Sequence, residues 1–451
     1  MELPRGWVSR DIGELFNLVG GGTPSTENES FWGNGIPWFS SADIDYFGNI
    51  KSRRRVTKEG IENSTTNVVP ENTVIIVSRV GLGKIAILRE KMCFSQDIQA
   101  LNPIVDGTID QKYLYYHLIP IVKKLKYNGR GTTISGVTKK QLSDENINIP
   151  PFAEQHRIVE KIDALFSELD KGVEILQTVK EQLKTYRQSV LKSAFEGKLT
   201  EDNPNTWDYK SPDELSALQK HALTIGPFGS DLKVSDYTES GVPLIFVRDI
   251  RSFFRQNTQK FISEDKAREL SAHQVTPGDI LITKMGDPPG DCCIYPPSRE
   301  IGIITADCIK WTVDSSLSIP EYIIFAIRSP YVKVQISGIT RGVAQKKISL
   351  DRFRKILIPI PRRENQIQIV EAIESRLSVC DKVEQLVDEN LAKADALRQS
   401  ILKKAFEGRL VPQDPNDEPA EKLLERIKAE RAAAEQRMKQ QKSVKRSKKN
   451  G

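Results

Sequence analysis

Between residues 151 and 196 the apolar side chains recur every seven residues. One column of this repeat contains Ile162, Leu169, Leu176, Leu183 and Val190, and a second column contains Ile158, Leu165, Val179 and Tyr186. The segment is nearly free of glycine and, after its first residue, free of proline. This spacing is typical of a helix whose apolar stripe packs against a second helix. We therefore predict one long helix here, with a coiled-coil seam along one face.

A second segment, from about 363 to 407, predicts a similar helix with a poorer seam. Arg376 and Asn390 interrupt one column, while the other column keeps Ile373, Val387, Ala394 and Ile401. Gly197 and Gly408 follow the two segments at the position where glycine commonly ends a helix. A helix of about 46 residues is about 70 Å long. Because an apolar stripe of that length needs cover, we infer that the two helices pack on each other; in the alternative, each packs on its own globular domain.

The two helices belong to an internal repeat. Residues 149–199 recur at 360–410 with a constant shift of 211 positions, and about 20 of the 51 aligned residues are identical. The segments before them are related more loosely: residues 35–37 match 241–243, and Arg130-Gly131 matches Arg341-Gly342. Since a repeat sets the frame of a fold prediction, the chain is interpreted as two copies of a unit of about 200 residues. Two copies suggest a target with two parts.

Outside the helices the chain carries short β-branched runs, such as Thr73 to Val77 and Ile85 to Leu88, separated by turn signals such as Asn34-Gly35. This texture predicts an α+β fold. We expect two globular domains, separated by a long antiparallel two-helix coiled coil that gives the molecule a pseudo-two-fold axis. The expected segments are a first domain at 1–148, a first helix at 149–200, a second domain at 201–358, a second helix at 359–412, and a charged helix with a basic tail at 413–451.

Composition narrows the class of protein. The chain has 451 residues, 38% of them hydrophobic, and a net charge of +6, which permits an anionic partner without requiring one. No apolar stretch approaches about 18 residues and no basic-then-apolar leader opens the chain, so we expect neither a membrane span nor a secretory signal. The five cysteines form no C-x-x-C pair, which predicts reduced thiols, a cytoplasmic location and no zinc site.

No group of residues in the sequence predicts catalysis, a cofactor or a metal. Asp287-Pro288-Pro289-Gly290 is similar to the loop of amino-methyltransferases, but Gly290 stands where an aromatic ring would stack on a base. The segment 81–84 lacks the remaining residues of a phosphate-binding loop. The four histidines have no metal-ligand spacing. We interpret the first two segments as turns and expect a non-enzymatic protein.

Several motifs, taken in order, carry a family resemblance. Leu3-Pro4-x-Gly6-Trp7 opens the chain, and residues 21–25 (Gly-Gly-Thr-Pro-Ser) precede residues 32–38 (Trp-Gly-x-Gly-Ile-Pro-Trp). Pro150-Pro151-x-x-Glu154-Gln155 then leads into the first long helix, and Ile360-Pro361 with Asn365-Gln366 does so for the second. This combination resembles the DNA-specificity (S) subunit of type I restriction-modification systems. The second copy departs from the pattern, since it lacks the Trp and the second Pro.

The resemblance implies a non-catalytic subunit that binds double-stranded DNA. In this family two target-recognition domains each bind one half of a split sequence, and the paired helices set the spacing and dock two methyltransferase subunits. Motor-nuclease subunits complete the restriction enzyme. A self-sufficient DNA adenine methyltransferase or nuclease subunit is the alternative, disfavoured because both copies lack cofactor motifs. A purely structural coiled-coil scaffold is a third interpretation.

Reading of base edges needs polar and basic side chains on loops, and phosphate contacts need further Lys, Arg and hydroxyl groups. The candidates in the first domain are Trp38, Ser40, Ser41, Arg79, Lys84, Arg130, Thr132, Lys139 and Lys140. Those in the second domain are Arg248, Lys284, Arg341, Gln345, Lys346 and Lys347. The two Arg-Gly segments are the strongest, because an arginine recurs beside a glycine that lets the backbone approach phosphate.

The end of the chain differs from the rest. Prolines at 412, 415 and 419 predict a linker, followed by a short, highly charged helix from Glu421 to Gln441. Residues 442–449 then contain five basic residues and no acid. Such a run is most often a solvated tail, and a weaker hypothesis is that it adds nonspecific attraction to phosphates.

Overall fold

The computed structural model describes residues 3–45, 48–105, 107–128, 136–200, 203–255, 260–342, 346–430 and 432. By its internal contacts the chain forms two compact units. The first unit comprises Met1–Glu174 with Asn390–Gly451, and the second comprises Ile175–Glu389. Among the described residues, no helix is both long enough and apolar enough to cross a membrane.

Within its described residues, the first unit contains three sheets, with strand orders β2-β8-β5-β6, β4-β3-β7 and β1-β9. The run of buried residues 74–77 forms β5, an interior strand of the largest sheet, as the β-branched composition of that run predicts. The strands are β1 (Val8–Asp11), β2 (Phe16–Gly20), β3 (Trp32–Phe39), β4 (Arg54–Val56), β5 (Val74–Val77), β6 (Ile85–Ile87), β7 (Cys93–Phe94), β8 (Ile98–Pro103) and β9 (Asn146–Ile149). The helices are α1 (Ile12–Leu15), α2 (Lys58–Glu62), α3 (Gln111–Asn128) and α4 (Lys139–Ser143), and α5 (Phe152–Phe195) follows them.

The second unit repeats this topology, with orders β11-β19-β16-β17, β12-β14-β13-β18-β15 and β10-β20. In the described part of the chain, the second of these sheets gains the strands β12 and β15 at its two edges. The strands are β10 (Asp208–Lys210), β11 (Leu223–Ile225), β12 (Tyr237–Thr238), β13 (Val242–Ile245), β14 (Lys260–Ile262), β15 (Gln274–Val275), β16 (Ile280–Thr283), β17 (Cys292–Ile294), β18 (Gly302–Ile304), β19 (Cys308–Trp311) and β20 (Ile358–Ile360). The helices are α6 (Val247–Arg251), α7 (Glu264–Glu269), α8 (Pro320–Arg328), α9 (Pro330–Ile339) and α10 (Leu350–Phe353), and α11 (Arg363–Phe406) follows them.

The two long helices, α5 and α11, have 44 residues each and begin and end at positions 211 apart. Within the second unit, Arg187 of α5 pairs with Asp381 at 2.7 Å and Glu384 at 2.8 Å, and Lys180 pairs with Asp388 at 2.7 Å. Since higher numbers on one helix meet lower numbers on the other, the helices run antiparallel there. Their packing on each other is confirmed.

The seam follows the predicted columns with two differences. Tyr186, expected in the seam, is 48% exposed. Cys380 occupies the seam between Ile373 and Val387 and is only 2% exposed, a place that the apolar character of a free thiol suits. Arg376 turns onto its own helix and donates a hydrogen bond from Nη1 to the Ala372 carbonyl at 2.8 Å. The polar interruption is thereby satisfied inside one helix.

A buried glutamine holds the start of each long helix. In the first unit, Gln155 accepts a hydrogen bond from the Asp110 amide at 2.8 Å and donates one to the Pro150 carbonyl at 3.2 Å. In the second unit, Gln366 accepts from Ser318 Oγ at 2.8 Å and donates to the Pro361 carbonyl at 3.0 Å. Both glutamines are fully buried, so their recurrence reflects a structural requirement of the helix start.

The C-terminal segment packs on the first unit. Residues 420–430 are helical, and their buried side chains share a core with β1, α1, α3 and α4. These side chains are Ala420, Leu423, Leu424 and Ile427. The Ala420 amide donates to the Gly6 carbonyl at 2.9 Å, and Arg157 pairs with Asp417 at 2.6 Å. The sequence predicted a charged helix here; its apolar residues recur at helical spacing between the charges and bury one face.

The buried His117 makes the first unit sensitive to acid. Its Nε2 accepts a hydrogen bond from the Asn148 amide at 3.1 Å, and its ring lies 4.2 Å from that of Phe406. Burial lowers the pKa of His117 from its ordinary 6.5 to about 4. Between these pH values His117 is protonated in the unfolded chain and neutral in the folded unit. The free energy of unfolding therefore falls as the pH falls, by about 1.4 kcal/mol per pH unit.

We expect the variant His117→Gln, which keeps an acceptor for Asn148, to lose this extra slope. Chemical denaturation of both proteins at several pH values between about 6.5 and 4 measures it. Above pH 6.5 the two proteins should show the same pH dependence, because His117 is then neutral in both states. Parallel curves below that pH would show that His117 is not the responsible group.

Candidate nucleic-acid interface

Each unit gathers several loops at the carboxyl ends of one pair of parallel strands. In the first unit, β3 and β7 pair in parallel through Trp38 with Cys93 and Phe39 with Phe94. In the second unit, β13 and β18 pair in parallel through residues 244–245 and 303–304. Because the carboxyl ends of parallel strands meet at one edge, the turns that follow them lie together. This edge brings together most of the side chains that the sequence predicted.

In the first unit these loops are joined by backbone hydrogen bonds. The Ser78 amide, just after β5, donates to the Asp97 carbonyl at 2.8 Å, and the Val137 amide donates to the Ser78 carbonyl at 2.7 Å. The turn after β3 is closed by Asp43 Oδ2, which accepts from the Ser40 amide at 2.9 Å. The hairpin between β5 and β6 is therefore held between the strand-end turn and the segment that precedes α4.

The second unit makes the same bonds with different side chains. The Lys284 amide, just after β16, donates to the Asp307 carbonyl at 2.8 Å, and the Ile348 amide donates to the Lys284 carbonyl at 3.0 Å. The turn after β13 is closed by Asp249, which accepts from the Phe246 amide at 2.8 Å. A backbone frame is thus shared by both units, and Lys284 in one stands where Ser78 stands in the other.

Basic side chains surround this frame in the second unit. Lys284 Nζ donates to the Ala306 carbonyl at 3.0 Å. Lys346 pairs with Asp287 at 2.7 Å, and the backbones of Arg341 and Lys347 exchange hydrogen bonds at 3.1 and 2.9 Å. Arg341, Lys346 and Lys347 are exposed. Their charges are placed together on one surface where a polyanion could reach them.

Arg248 and Arg251 extend this basic surface along α6. The Arg248 guanidinium lies 4.5 Å from the centre of the Phe246 ring and is 45% exposed. Arg251 pairs with Asp291 at 2.8 Å. Burial raises the pKa of Asp249, between them, although the Phe246 amide and the Arg248 charge act in the opposite direction.

In the first unit the predicted residues divide into two groups. Arg79 is exposed on the hairpin between β5 and β6, and Lys84 Nζ of the same hairpin donates to the carbonyl of Ser41, next to Ser40, at 2.9 Å. Trp38 is 9% exposed and its indole donates to the Gly22 carbonyl at 3.0 Å. Trp38 therefore holds the 21–25 loop in place from inside the fold.

Lys139 and Lys140 do not correspond to Lys346 and Lys347, although the sequence places each pair after an Arg-Gly segment. Thr138 caps α4 by accepting from the Gln141 amide, and Ser349 caps α10 in the same way. Lys139 and Lys140 therefore lie in the first turn of a helix, whereas Lys346 and Lys347 lie before one. Arg130, Thr132 and Gln345 fall outside the described residues.

Two basic features of this surface were not predicted from the sequence. One is Arg251, whose pairing with Asp291 joins α6 to the β16–β17 hairpin. The other is the run Arg53-Arg54-Arg55 at β4, which is exposed and lies beside Trp32. Three consecutive arginines are a visible signal for an anion-binding surface.

The described residues bear on two kinds of reactive site, metal centres and thiol nucleophiles. No group of three or more His, Cys, Asp or Glu side chains among them could hold a metal ion. Burial raises the pKa of Cys93 to about 11 and that of Cys293 and Cys308 to about 12, which is opposite to the shift that activates a thiol nucleophile.

The long helices leave apolar side chains exposed in the second unit. Ile175 and Tyr186 of α5 are 63% and 48% exposed, and Val379 and Leu386 of α11 are 58% and 57% exposed. The members of each pair are seven or eleven residues apart and lie on one side of their helix. Ile175 and Leu386 are 211 positions apart, so this exposure recurs with the repeat. An exposed apolar side chain therefore recurs at this equivalent position of the two helices.

Comparison with known proteins identifies related chains. A family model described as type I restriction modification DNA specificity domain matches residues 4–184 and 245–388. The EcoKI specificity subunit of Escherichia coli (strain K12) is 28% identical over 465 aligned residues, covering 96% of this chain and 97% of that protein. The EcoBI specificity subunit of Escherichia coli is 28% identical over 360 residues, covering 72% of each.

Solved structures have a similar fold. One of them was solved in a study of complex assembly and conformational transition of the type I R-M system. It aligns with a TM-score of 0.74 at 20% identity, covering 91% of this chain and 100% of that one. The HsdS subunit from Thermoanaerobacter tengcongensis aligns with a TM-score of 0.54 at 19% identity, covering 91% and 98%. At these identities the likeness supports the α+β fold with paired long helices.

Proposed function

Because the chain belongs to the type I restriction-modification DNA specificity family, we propose that each of its two units reads one half of a split DNA target. The chain itself is the non-catalytic subunit of the complex. Methyltransferase subunits carry out the modification, and motor-nuclease subunits join them for restriction. The protein then needs no cofactor of its own, because its contribution is the choice of sequence.

The observation that carries this proposal is the shared backbone frame at the strand-end edges. Equivalent amides and carbonyls hold the loops in both units, whereas the side chains differ at equivalent positions, as with Ser78 and Lys284. A fixed backbone with varied side chains suits the reading of two different half-sites, because base identity is read by side chains. The same elements in the same order support an approximate two-fold relation between the readers.

We assign the DNA contacts to the predicted polar and basic residues on and beside these loops, of which Ser41 is only 6% exposed. Arginine and lysine suit guanine edges and phosphates, and hydroxyl groups suit either kind of contact. In the first unit the contacts are Ser40, Ser41, Arg79, Lys84, Lys139 and Lys140, with Arg130 and Thr132 from the segment between α3 and α4. In the second unit they are Arg248, Lys284, Arg341, Gln345, Lys346 and Lys347. Trp38 instead holds the 21–25 loop in place through its indole hydrogen bond to the Gly22 carbonyl.

The long helices have two roles in this proposal. As a rigid pair they set the distance between the half-sites, and their exposed apolar residues dock the methyltransferase subunits. Ile175 and Leu386 are exposed apolar residues at equivalent positions of the two helices. This equivalence suits two copies of one partner, each bound to one helix. An interrupted DNA site with two modified half-sites needs two such subunits.

A pair of charge-removal variants tests the assignment. Changing Lys284, Arg341, Lys346 and Lys347 to Ala should abolish selectivity for one half-site and leave the other intact. The counterpart in the first unit, with Arg79, Lys84, Lys139 and Lys140 changed to Ala, should do the reverse. Each lost base contact is expected to reduce discrimination by about 1–3 kcal/mol, or about 5- to 150-fold.

Selection from a randomised duplex pool, with the methyltransferase partner present, measures both halves at once. A control changes Lys171 and Lys382, which are equivalent exposed residues of the helices, and should alter neither half. If either loop variant relaxed both halves equally, two independent readers would be the wrong description.

A further inference from the structure

An open cleft lies in the first unit, beside strands β3 and β4. It has a volume of about 620 Å³ and includes Trp32 and Asn34 on the β3 side and the three arginines of 53–55. Thr26, Glu29 and Gly33 complete its lining, so one acidic side chain faces three basic ones. The cleft is therefore cationic, with an indole ring in its wall.

Each arginine is held in place by a separate contact. Arg53 pairs with Asp43 at 3.1 Å and is 81% exposed. The Arg54 guanidinium lies 5.1 Å from the centre of the Trp32 ring, and Arg55 Nε donates to the Gly35 carbonyl at 2.8 Å. These contacts use only part of each guanidinium, which has five N–H donors. Donors remain for a ligand, and each guanidinium already has one contact that orients it.

The cleft is joined to the proposed reading surface through Asp43. One oxygen of Asp43 forms the ion pair with Arg53, and the other accepts hydrogen bonds from the Ser40 amide and hydroxyl at 2.9 and 2.8 Å. Trp32 also packs edge-on against Trp38 at a ring distance of 5.4 Å. A duplex that contacts the strand-end turn would therefore have its backbone close to the cleft.

We propose that this cleft binds the phosphodiester backbone of DNA next to the first half-site. The inference rests on the proposed function and adds a phosphate-binding site to it. Guanidinium groups match phosphate oxygens in a two-pronged geometry and keep their charge at any physiological pH. The site positions the duplex without selecting bases, because its donors bind phosphate groups, which are the same in every DNA sequence.

The second unit has a weaker counterpart. In β14, Lys260 pairs with Leu244 and Phe261 pairs with Pro243, in the register in which Arg54 and Arg55 pair with Trp38 and Pro37. One cation and one aromatic ring thus stand where the first unit has two arginines. The first half-site is held more strongly through its phosphates than the second.

The double variant Arg53→Gln with Arg55→Gln tests the proposal in the full chain. Binding to a mixed-sequence duplex of about 30 base pairs is measured between about 50 and 200 mM salt. The variant should flatten the plot of log affinity against log salt by about two units, because each lost phosphate contact removes about 0.9. Arg54 is left unchanged because it packs on Trp32. The matched control, Arg89→Gln with Lys91→Gln, removes the same charge from exposed positions after β6 and should change the slope little.

The outcomes separate this inference from the function on which it rests. A variant slope equal to that of the control would overturn the cleft while leaving the two-reader proposal standing. Altered base preference at the first half-site would also overturn it, because the cleft would then read bases. Unchanged DNA binding with failed assembly of the methyltransferase partner would assign the cleft to an acidic protein surface instead. If the unaltered chain with its partner bound DNA without sequence selectivity, the proposed function itself would be wrong.

Discussion

Inserting seven residues into both long helices at facing positions is expected to widen the unread gap in the DNA target by about three base pairs. Seven residues add about 10 Å of helix, and the duplex rises about 3.4 Å per base pair. A full heptad keeps the apolar columns in phase. The Lys180–Asp388 ion pair defines facing positions, so the insertions follow Lys180 in α5 and Val387 in α11.

Methylation mapping of genomic DNA from cells that hold the variant and its methyltransferase partner measures the gap. The matched control inserts the same heptad into α5 alone, which displaces Arg187 from Asp381 and Glu384 and should abolish specific methylation. A variant that folds, methylates and keeps the original gap would contradict the spacing role of the helices.

Truncating the chain after Gln413 is expected to unfold the first unit and leave the second folded. The deletion removes Leu423, Leu424 and Ile427, which are 3–6% exposed in a core shared with α1 and α3. Burial of each such side chain contributes about 2 kcal/mol, and about 6 kcal/mol is comparable to the entire stability of a small domain. The second unit, Ile175–Glu389, contains none of the deleted residues.

Hydrogen exchange measured peptide by peptide distinguishes the two units. Amides of β5 in the first unit should lose protection, while those of β16 in the second should keep it. A chain that lacks only residues 442–451 serves as the control and should retain both. Full protection of β5 in the longer truncation would mean that the C-terminal helix adds little to the first core.

The helices could be predicted because their signal is periodic and local. The seven-residue columns predicted spans of 151–196 and about 363–407, each within one residue of the observed helix ends, whereas the wider segments 149–200 and 359–412 extend past them. The repeat indicated that the two helices are equivalent. The exposure of Tyr186 and the burial of Cys380 in the seam were not predicted, because the phase of a stripe drifts along a helix and a thiol is not counted among the strong hydrophobes. The match of Gln155 with Gln366 was visible in the repeat. Their role could not be predicted, because it depends on hydrogen bonds to backbone carbonyls that only the folded structure brings within reach.

Most of the missed features depend on contacts between distant parts of the chain. Nothing near residue 420 indicates that its amide meets the Gly6 carbonyl. The frame of the reading loops is made by backbone groups, which every residue carries, so no side-chain pattern reveals that Ser78 and Lys284 are equivalent. The arginine run at 53–55 could have been found, since only its charge pattern was needed.

Mapping the methylated sites of the unaltered chain and its methyltransferase partner across a genome tests the central claim most directly. Two readers on a rigid helix pair predict two short specific blocks separated by a gap of constant length and free sequence. A single uninterrupted block, or blocks separated by gaps of variable length, would contradict that account.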